Sequence, residues 1–228
     1  MIELLVRDVR VGDPRTGEAA VVDLHVDRGR IAAIVPSTEV PIEADVVIEG
    51  DRAWATGPYV EPHVHLDASL TAGEPRWNQS GTLWEGIACW SERKPMLSRE
   101  DVVSRAEQTL RWYAANGTLH VRSHVDVTDP TLVALDALLE VRERVSDVVN
   151  LQLVAFPQEG ICSFPGGERL LTEAAARGVQ VIGAIPHFED TREDGVRSVE
   201  FAVDLAERHG LLVDAHCDEI DDEQSRFV

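Results

Sequence analysis

The chain has 228 residues, 44% of them apolar, and no uncharged apolar run of about 18 residues, which predicts a soluble protein with one large core or two unequal domains and excludes a disordered or membrane-spanning one. A formal net charge of −20 repels phosphate backbones, which argues against nucleic-acid partners and is compatible with a small, neutral substrate. The N-terminus, Met1-Ile2-Glu3-Leu4-Leu5-Val6-Arg7, lacks a basic segment followed by a long apolar one, so no secretion signal is expected and a cytoplasmic location is the default.

In chain order, residues 1–56 read as a small β module, sandwich-like in pattern. Strands are predicted over Leu4 to Val11, Ala20 to Val26 and Arg30 to Val35, with turns at Gly12-Asp13-Pro14-Arg15-Thr16-Gly17 and Asp27-Arg28-Gly29. The architecture switches near Gly57-Pro58. Over residues 57–228, apolar strands alternate with amphipathic helices, the pattern of βα units around a parallel sheet. Strands are predicted over Val60 to Leu66, Leu119 to Val127, Leu151 to Phe156, Val179 to Ile185 and Leu211 to His216. Ser98 with Asp101 resembles a capping box, Asp129-Pro130 reads as the cap and first residue of another helix, and Gly117, Gly178 and Gly210 sit where left-handed helix terminators belong.

The fold class expected is therefore α/β, a (β/α)8 TIM-type barrel of which the first five βα units are present. A closed barrel typically takes about 250 residues, and an open five-stranded wall leaves strand edges unpaired, so the sequence reads as a portion of a longer protein. The three cysteines, Cys89, Cys162 and Cys217, are odd in number and irregularly spaced, fitting neither a disulfide framework nor a cysteine zinc site. Two of them read as buried small hydrophobes, with Cys217 beside the site by accident of sequence.

The chemistry concentrates at the carboxyl ends of the predicted strands. In Glu61-Pro62-His63-Val64-His65-Leu66-Asp67, alternation along a strand puts His63 and His65 on one face, so that two ligands of one metal ion can come from a single strand. Far along the chain, Asp214-Ala215-His216-Cys217-Asp218-Glu219 follows another apolar run and offers a third imidazole with a carboxylate three residues on. Between them the strand ends carry His124 and Asp126, Gln158 and Glu159, and His187 and Glu189. His124 stays open between a structural role, support of a ligand and catalysis. His187 follows Pro186 in a turn, with substrate contact as one reading, and His25 and His209 read as surface residues.

These segments resemble the cytosine deaminases of the amidohydrolase superfamily. The resemblance is carried by Val60-Glu61-Pro62-His63-Val64-His65-Leu66-Asp67, Trp77-Asn78-Gln79-Ser80-Gly81-Thr82-Leu83, Val154-Ala155-Phe156-Pro157-Gln158-Glu159-Gly160, Gly183-Ala184-Ile185-Pro186-His187-Phe188 and the run from His216 to Phe227. It implies that His63, His65 and His216 bind one divalent metal, Fe(II) or Zn(II), that Glu219 shuttles protons, and that Gln158 holds the pyrimidine edge. It also implies that the Asn78 to Leu83 loop walls the pocket, with the backbone around Leu83 touching the base. A further histidine and a metal-binding aspartate are expected from later strands, beyond Val228, and a homo-oligomer is one expected assembly state.

The reaction implied is hydrolytic deamination of cytosine or a closely related amino-substituted heterocycle, with isocytosine and creatinine as alternative rings. Two enzymatic competitors fare less well. A two-metal cyclic-amide hydrolase needs a lysine at the end of the fourth barrel strand, where Ile185-Pro186-His187-Phe188 stands, and the H-x-E…P-C-x-x-C signature of the zinc nucleoside deaminases is missing. The non-enzymatic alternative is an inactive fragment acting as an interaction piece through its open sheet.

Overall fold

The computed structural model describes residues 2–38, 42–220 and 222–227. It divides into two compact units, Met1–Gly57 and Pro58–Val228. In the first unit β1 (Ile2–Asp13), β2 (Glu18–Asp27), β3 (Arg30–Pro36) and β4 (Ala44–Glu49) form one sheet in the order β3-β2-β1-β4. The β1-β2 and β2-β3 pairs are antiparallel and the β1-β4 pair is parallel. The described residues of this unit form this one sheet, so the sandwich-like expectation finds no support. Its interior is anchored by Leu5, Val9 and Val22, with the buried Asp23 carboxylate accepting from the Asp8 N–H and the Ser37 hydroxyl. His25, expected on the surface, is half-buried on β2.

The second unit is an α/β half-barrel. Its strands β5 (Tyr59–Val64), β6 (Thr118–Asp126), β7 (Asn150–Phe156), β8 (Val181–Ala184) and β9 (Leu212–Ala215) are all parallel and hydrogen-bonded in sequence order. Between them run α1 (Leu83–Arg93), α2 (Arg99–Ala115), α3 (Val133–Arg144), α4 (Gly167–Ala176) and α5 (Arg192–His209). Parity along each strand sorts the side chains. Val121 and Val125 of β6, Leu151, Leu153 and Ala155 of β7, and Ile182 and Ala184 of β8 join one core with helix residues such as Val102, Leu110, Leu135, Leu138 and Leu171. The alternate residues face the concave side, which leaves that side free for polar groups.

The helix ends follow the sequence signals with one exception. Ser98 Oγ accepts the Asp101 N–H at 3.2 Å, and Gly117, Gly178 and Gly210 all adopt positive φ. Helix α3, however, starts at Val133, behind a left-handed Leu132, and not at Pro130. Asp129 caps a turn instead: its carboxylate accepts from the Thr131 N–H at 3.0 Å and the Val133 N–H at 3.3 Å. The three cysteines are free thiols, each half-buried and not enclosed in the core.

Candidate metal centre and adjoining cavity

On the concave side the strand ends converge. His63 and His65, two residues apart at the end of β5, meet His124 of β6 and His216, which follows β9. The His63 ring stacks on His124 with centroids 4.1 Å apart and lies 4.6 Å from the His216 ring. His63 Nε2 and His216 Nε2 are 3.1 Å apart. Phe156, from the end of β7, closes the cluster from below, 4.2 Å from His216 and 5.4 Å from His65.

Ligand-type atoms of His63, His65 and His124 lie within 4.8 Å of one another, as do those of His124, Asp214 and His216. The donor set thus contains His124, whose role the sequence leaves open, beside the three expected histidines. Burial, reinforced by the positive charge each neighbour would carry, depresses the pKa of His65, His124 and His216 to about 4, so these rings are neutral at pH 7 and their lone pairs are available. Both ring nitrogens of His124 are buried without a hydrogen-bond partner, although Nε2 lies 3.4 Å from Asp214 Oδ2, off the line of a directed bond. Imidazoles meeting nitrogen to nitrogen, beside a carboxylate, suit a divalent cation.

A cavity of about 380 Å³ opens beside the cluster, lined by His63, His65, His216, Gln158, Leu83 and Glu219 among others. All six residues singled out from the sequence therefore meet at one place. Gln158 follows β7 and Glu219 follows β9. Leu83 is the first residue of α1, whose N-cap Thr82 accepts the Glu85 N–H at 3.3 Å. The preceding loop is held by its own polar groups: Asn78 accepts the Gly81 N–H at 2.8 Å and donates to the Thr82 carbonyl at 2.9 Å, while the Glu85 carboxylate accepts the Ser80 N–H at 2.6 Å.

Several supporting residues carried no sequence signal. Asp67 is 1% exposed and links the ends of β5 and β6 by accepting the Asp126 N–H at 2.8 Å; burial raises its pKa to about 7. Lys94 donates to Asp126 at 3.0 Å and to Glu159 at 2.6 Å, and the Trp90 indole N–H also reaches Asp126 at 2.8 Å. Arg122 bridges Gln152 and Asp214, each at 2.7 Å. The polar pairs at the strand ends therefore divide. Glu189 turns away from the cavity, its carboxylate taking the N–H groups of Ile161, Cys162 and Ser163 at 2.6, 3.1 and 2.7 Å, and so shapes the loop that follows Gln158.

No family model matches the chain. It is similar to a crystal structure of 5-methylcytosine deaminase from Klebsiella pneumoniae liganded with 5-fluorocytosine, with 49% identity and a TM-score of 0.91 over 98% of this chain and 53% of that one. Among curated proteins it matches pterin deaminase of Rhizobium rhizogenes at 29% identity, over 89% of this chain and 46% of the relative. It also matches N-isopropylammelide isopropyl amidohydrolase of a Pseudomonas species at 24% identity, over 96% of this chain and 54% of the relative. The chain spans about half the length of the curated relatives it matches. These features define a half-barrel of parallel strands with imidazoles gathered at their carboxyl ends. Over nearly its whole length the chain is thus similar to part of a 5-methylcytosine deaminase and to part of an amidohydrolase.

Proposed function

We propose that this chain supplies the metal-binding and proton-transfer half of an enzyme that hydrolytically deaminates cytosine or a closely related aminated heterocycle. The observation that carries the reading is the meeting of His63, His65, His216, Gln158, Leu83 and Glu219 at one cavity. The identity of 49% with a 5-methylcytosine deaminase supports the ring class. In this reading residues 57–228 are the first five units of a (β/α)8 barrel and residues 1–56 belong to a separate small module. The two compact units, Met1–Gly57 and Pro58–Val228, support that division, and the relatives, about twice as long, leave room for further units. Because the chain spans about half the length of its relatives, the 228 residues alone are expected to be inactive in this reading.

In this reading His63, His65 and His216 would hold one Fe(II) or Zn(II). Such an ion would supply a nucleophile at neutral pH by lowering the pKa of water toward neutrality. In the net reaction water adds at the ring carbon bearing the amine, the C–N bond breaks, and ammonia leaves. Glu219 manages the protons. His187 beside it holds its carboxyl below the usual carboxylate range, so it starts as an acceptor, takes a proton from water and passes it to a ring nitrogen, then takes the proton of the added hydroxyl as the ring carbonyl forms and delivers it to the departing amine. General acid/base work of this kind is worth about 10²–10⁴-fold. Gln158, with an amide that both donates and accepts, matches an adjacent ring N–H and carbonyl, and the start of α1 at Leu83 walls the ring.

The test is ammonia release from cytosine, 5-methylcytosine, isocytosine and creatinine by the protein in its full natural length, loaded with Fe(II) or Zn(II). Glu219→Gln is expected to abolish turnover and spare metal content. No release from any aminated ring by the metal-loaded protein overturns the reading, and loss of metal in Glu219→Gln reassigns Glu219 as a ligand.

A further inference from the structure

The His187 side chain is 1% exposed, and neither of its ring nitrogens has a directed hydrogen bond among the described residues. A buried imidazole with both nitrogens unsatisfied forfeits roughly 1–3 kcal/mol for each group left unpaired, so such a residue requires an explanation. Its surroundings supply one. His187 sits in the 3₁₀ turn Pro186–Phe188 that ends β8, locked by backbone bonds from the Phe188 N–H to the Ile185 carbonyl and from the Glu189 N–H to the Pro186 carbonyl. The Trp84 ring of α1 stands edge-on at 6.4 Å and closes another side. From that fixed seat His187 Nε2 reaches to 3.2 Å from Glu219 Oε2. Glu219 lines the cavity, whereas His187 does not.

Glu219 lies in the segment after β9, next to a left-handed Asp218, with no helix or strand to hold its rotamer. A carboxylate that must serve a ring nitrogen and then an exocyclic amine needs a defined orientation that still permits a small swing. An imidazole at ion-pair distance but off the hydrogen-bond line provides an anchor of that kind, able to tighten when the substrate is in place. We infer that His187 is the positioning residue for Glu219, presenting its Nε2–H to one carboxylate oxygen so that the other faces the heterocycle. This rests on the hydrolytic reading of the cavity. It adds a residue from the turn after β8 that touches neither the metal site nor the ring.

The test compares wild type, His187→Ala and His187→Gln in the metal-loaded protein at full natural length. Glutamine keeps an N–H donor near the Nε2 position and alanine removes it. In His187→Ala we expect kcat to fall roughly ten- to hundredfold with KM for cytosine and metal content unchanged, a smaller loss than in Glu219→Gln, and His187→Gln to recover much of it. A second measurement does not depend on turnover: affinity for a tetrahedral phosphonate analogue of the hydrated ring should fall in His187→Ala by about the same factor as kcat, while affinity for a planar ground-state analogue holds. Unchanged kcat and analogue affinity in His187→Ala overturn the inference. So does an alanine defect that glutamine leaves uncorrected, or one that is explained by lost metal. An inactive wild type that also ignores both analogues overturns the functional reading instead, and so the two failures are distinct.

Discussion

His63 Nε2 faces His216 Nε2 at 3.1 Å across 153 residues of chain. Two imidazole nitrogens can meet in this way if one carries a proton, or if both lone pairs address a common cation. Parallel pairing of five strands in sequence order brings them together, since it puts the carboxyl end of β5 and that of β9 on the same rim.

Metal content provides the first check. His63→Ala and His216→Ala are each expected to lose stoichiometric Fe or Zn after dialysis, measured by elemental analysis, whereas His209→Ala, at the exposed end of α5, should retain it. Chelator treatment of wild type should lower the melting temperature, because an ion that binds only the folded chain stabilises it by mass action. Equal metal retention in all three variants would refute the three-histidine site.

Lys94 gives the second. Its side chain is 10% exposed and is shared between Asp126 and Glu159, so Lys94→Met leaves two carboxylates near the cavity without their cation. Removing one partner of a buried pair typically costs about 3–5 kcal/mol, and denaturant titration should show a loss of that order, with Lys94→Arg smaller. A loss below about 1 kcal/mol in Lys94→Met would place this ion pair with the weak surface pairs.

The same lysine predicts a pH dependence. Burial alone lowers its pKa, but Asp126 and Glu159 outweigh burial and hold it above the ordinary 10.5. A raised amine stabilises the fold fully below the unfolded value and ceases to do so as pH rises through the folded one. Stability measured from pH 9 upward should therefore decline above about 10.5 and decline less steeply in Lys94→Met. Parallel curves would show that Lys94 is not the titrating group.

Gly160 supplies a fourth. It adopts φ +91°, and a Cβ there would sit 2.9 Å from Glu189 Oε2, against the carboxylate that collects the N–H groups of residues 161–163. Gly160→Ala should destabilise by roughly 1–3 kcal/mol and, by moving the loop after Gln158, raise KM for the heterocycle more than it lowers kcat. A wild-type KM and melting temperature in this variant would show that the loop can shift without consequence.

Strand periodicity and turn chemistry by themselves determined the alternation of βα units, the left-handed helix ends at Gly117, Gly178 and Gly210, and the shared face of His63 and His65, because all of these depend on neighbours within a few residues. The element β4 escaped notice: five of its six residues are exposed, and only its parallel pairing with β1 marks it as a strand. Helix α1 escaped too, since it buries only Ile87 and Arg93 and follows a polar loop. At the site, Lys94 sits in the run Ser91-Glu92-Arg93-Lys94, which resembles any solvated charged stretch. Folding alone sets it 2.6 Å from Glu159, 65 residues away. The same holds for Asp67 with Asp126, for Arg122 with Asp214, and for His187 with Glu219. Pairings of this kind depend on the curvature of the parallel sheet, which decides which strand ends face one another, and that curvature follows from the packing of helices on its convex side and is written in no short segment of the chain.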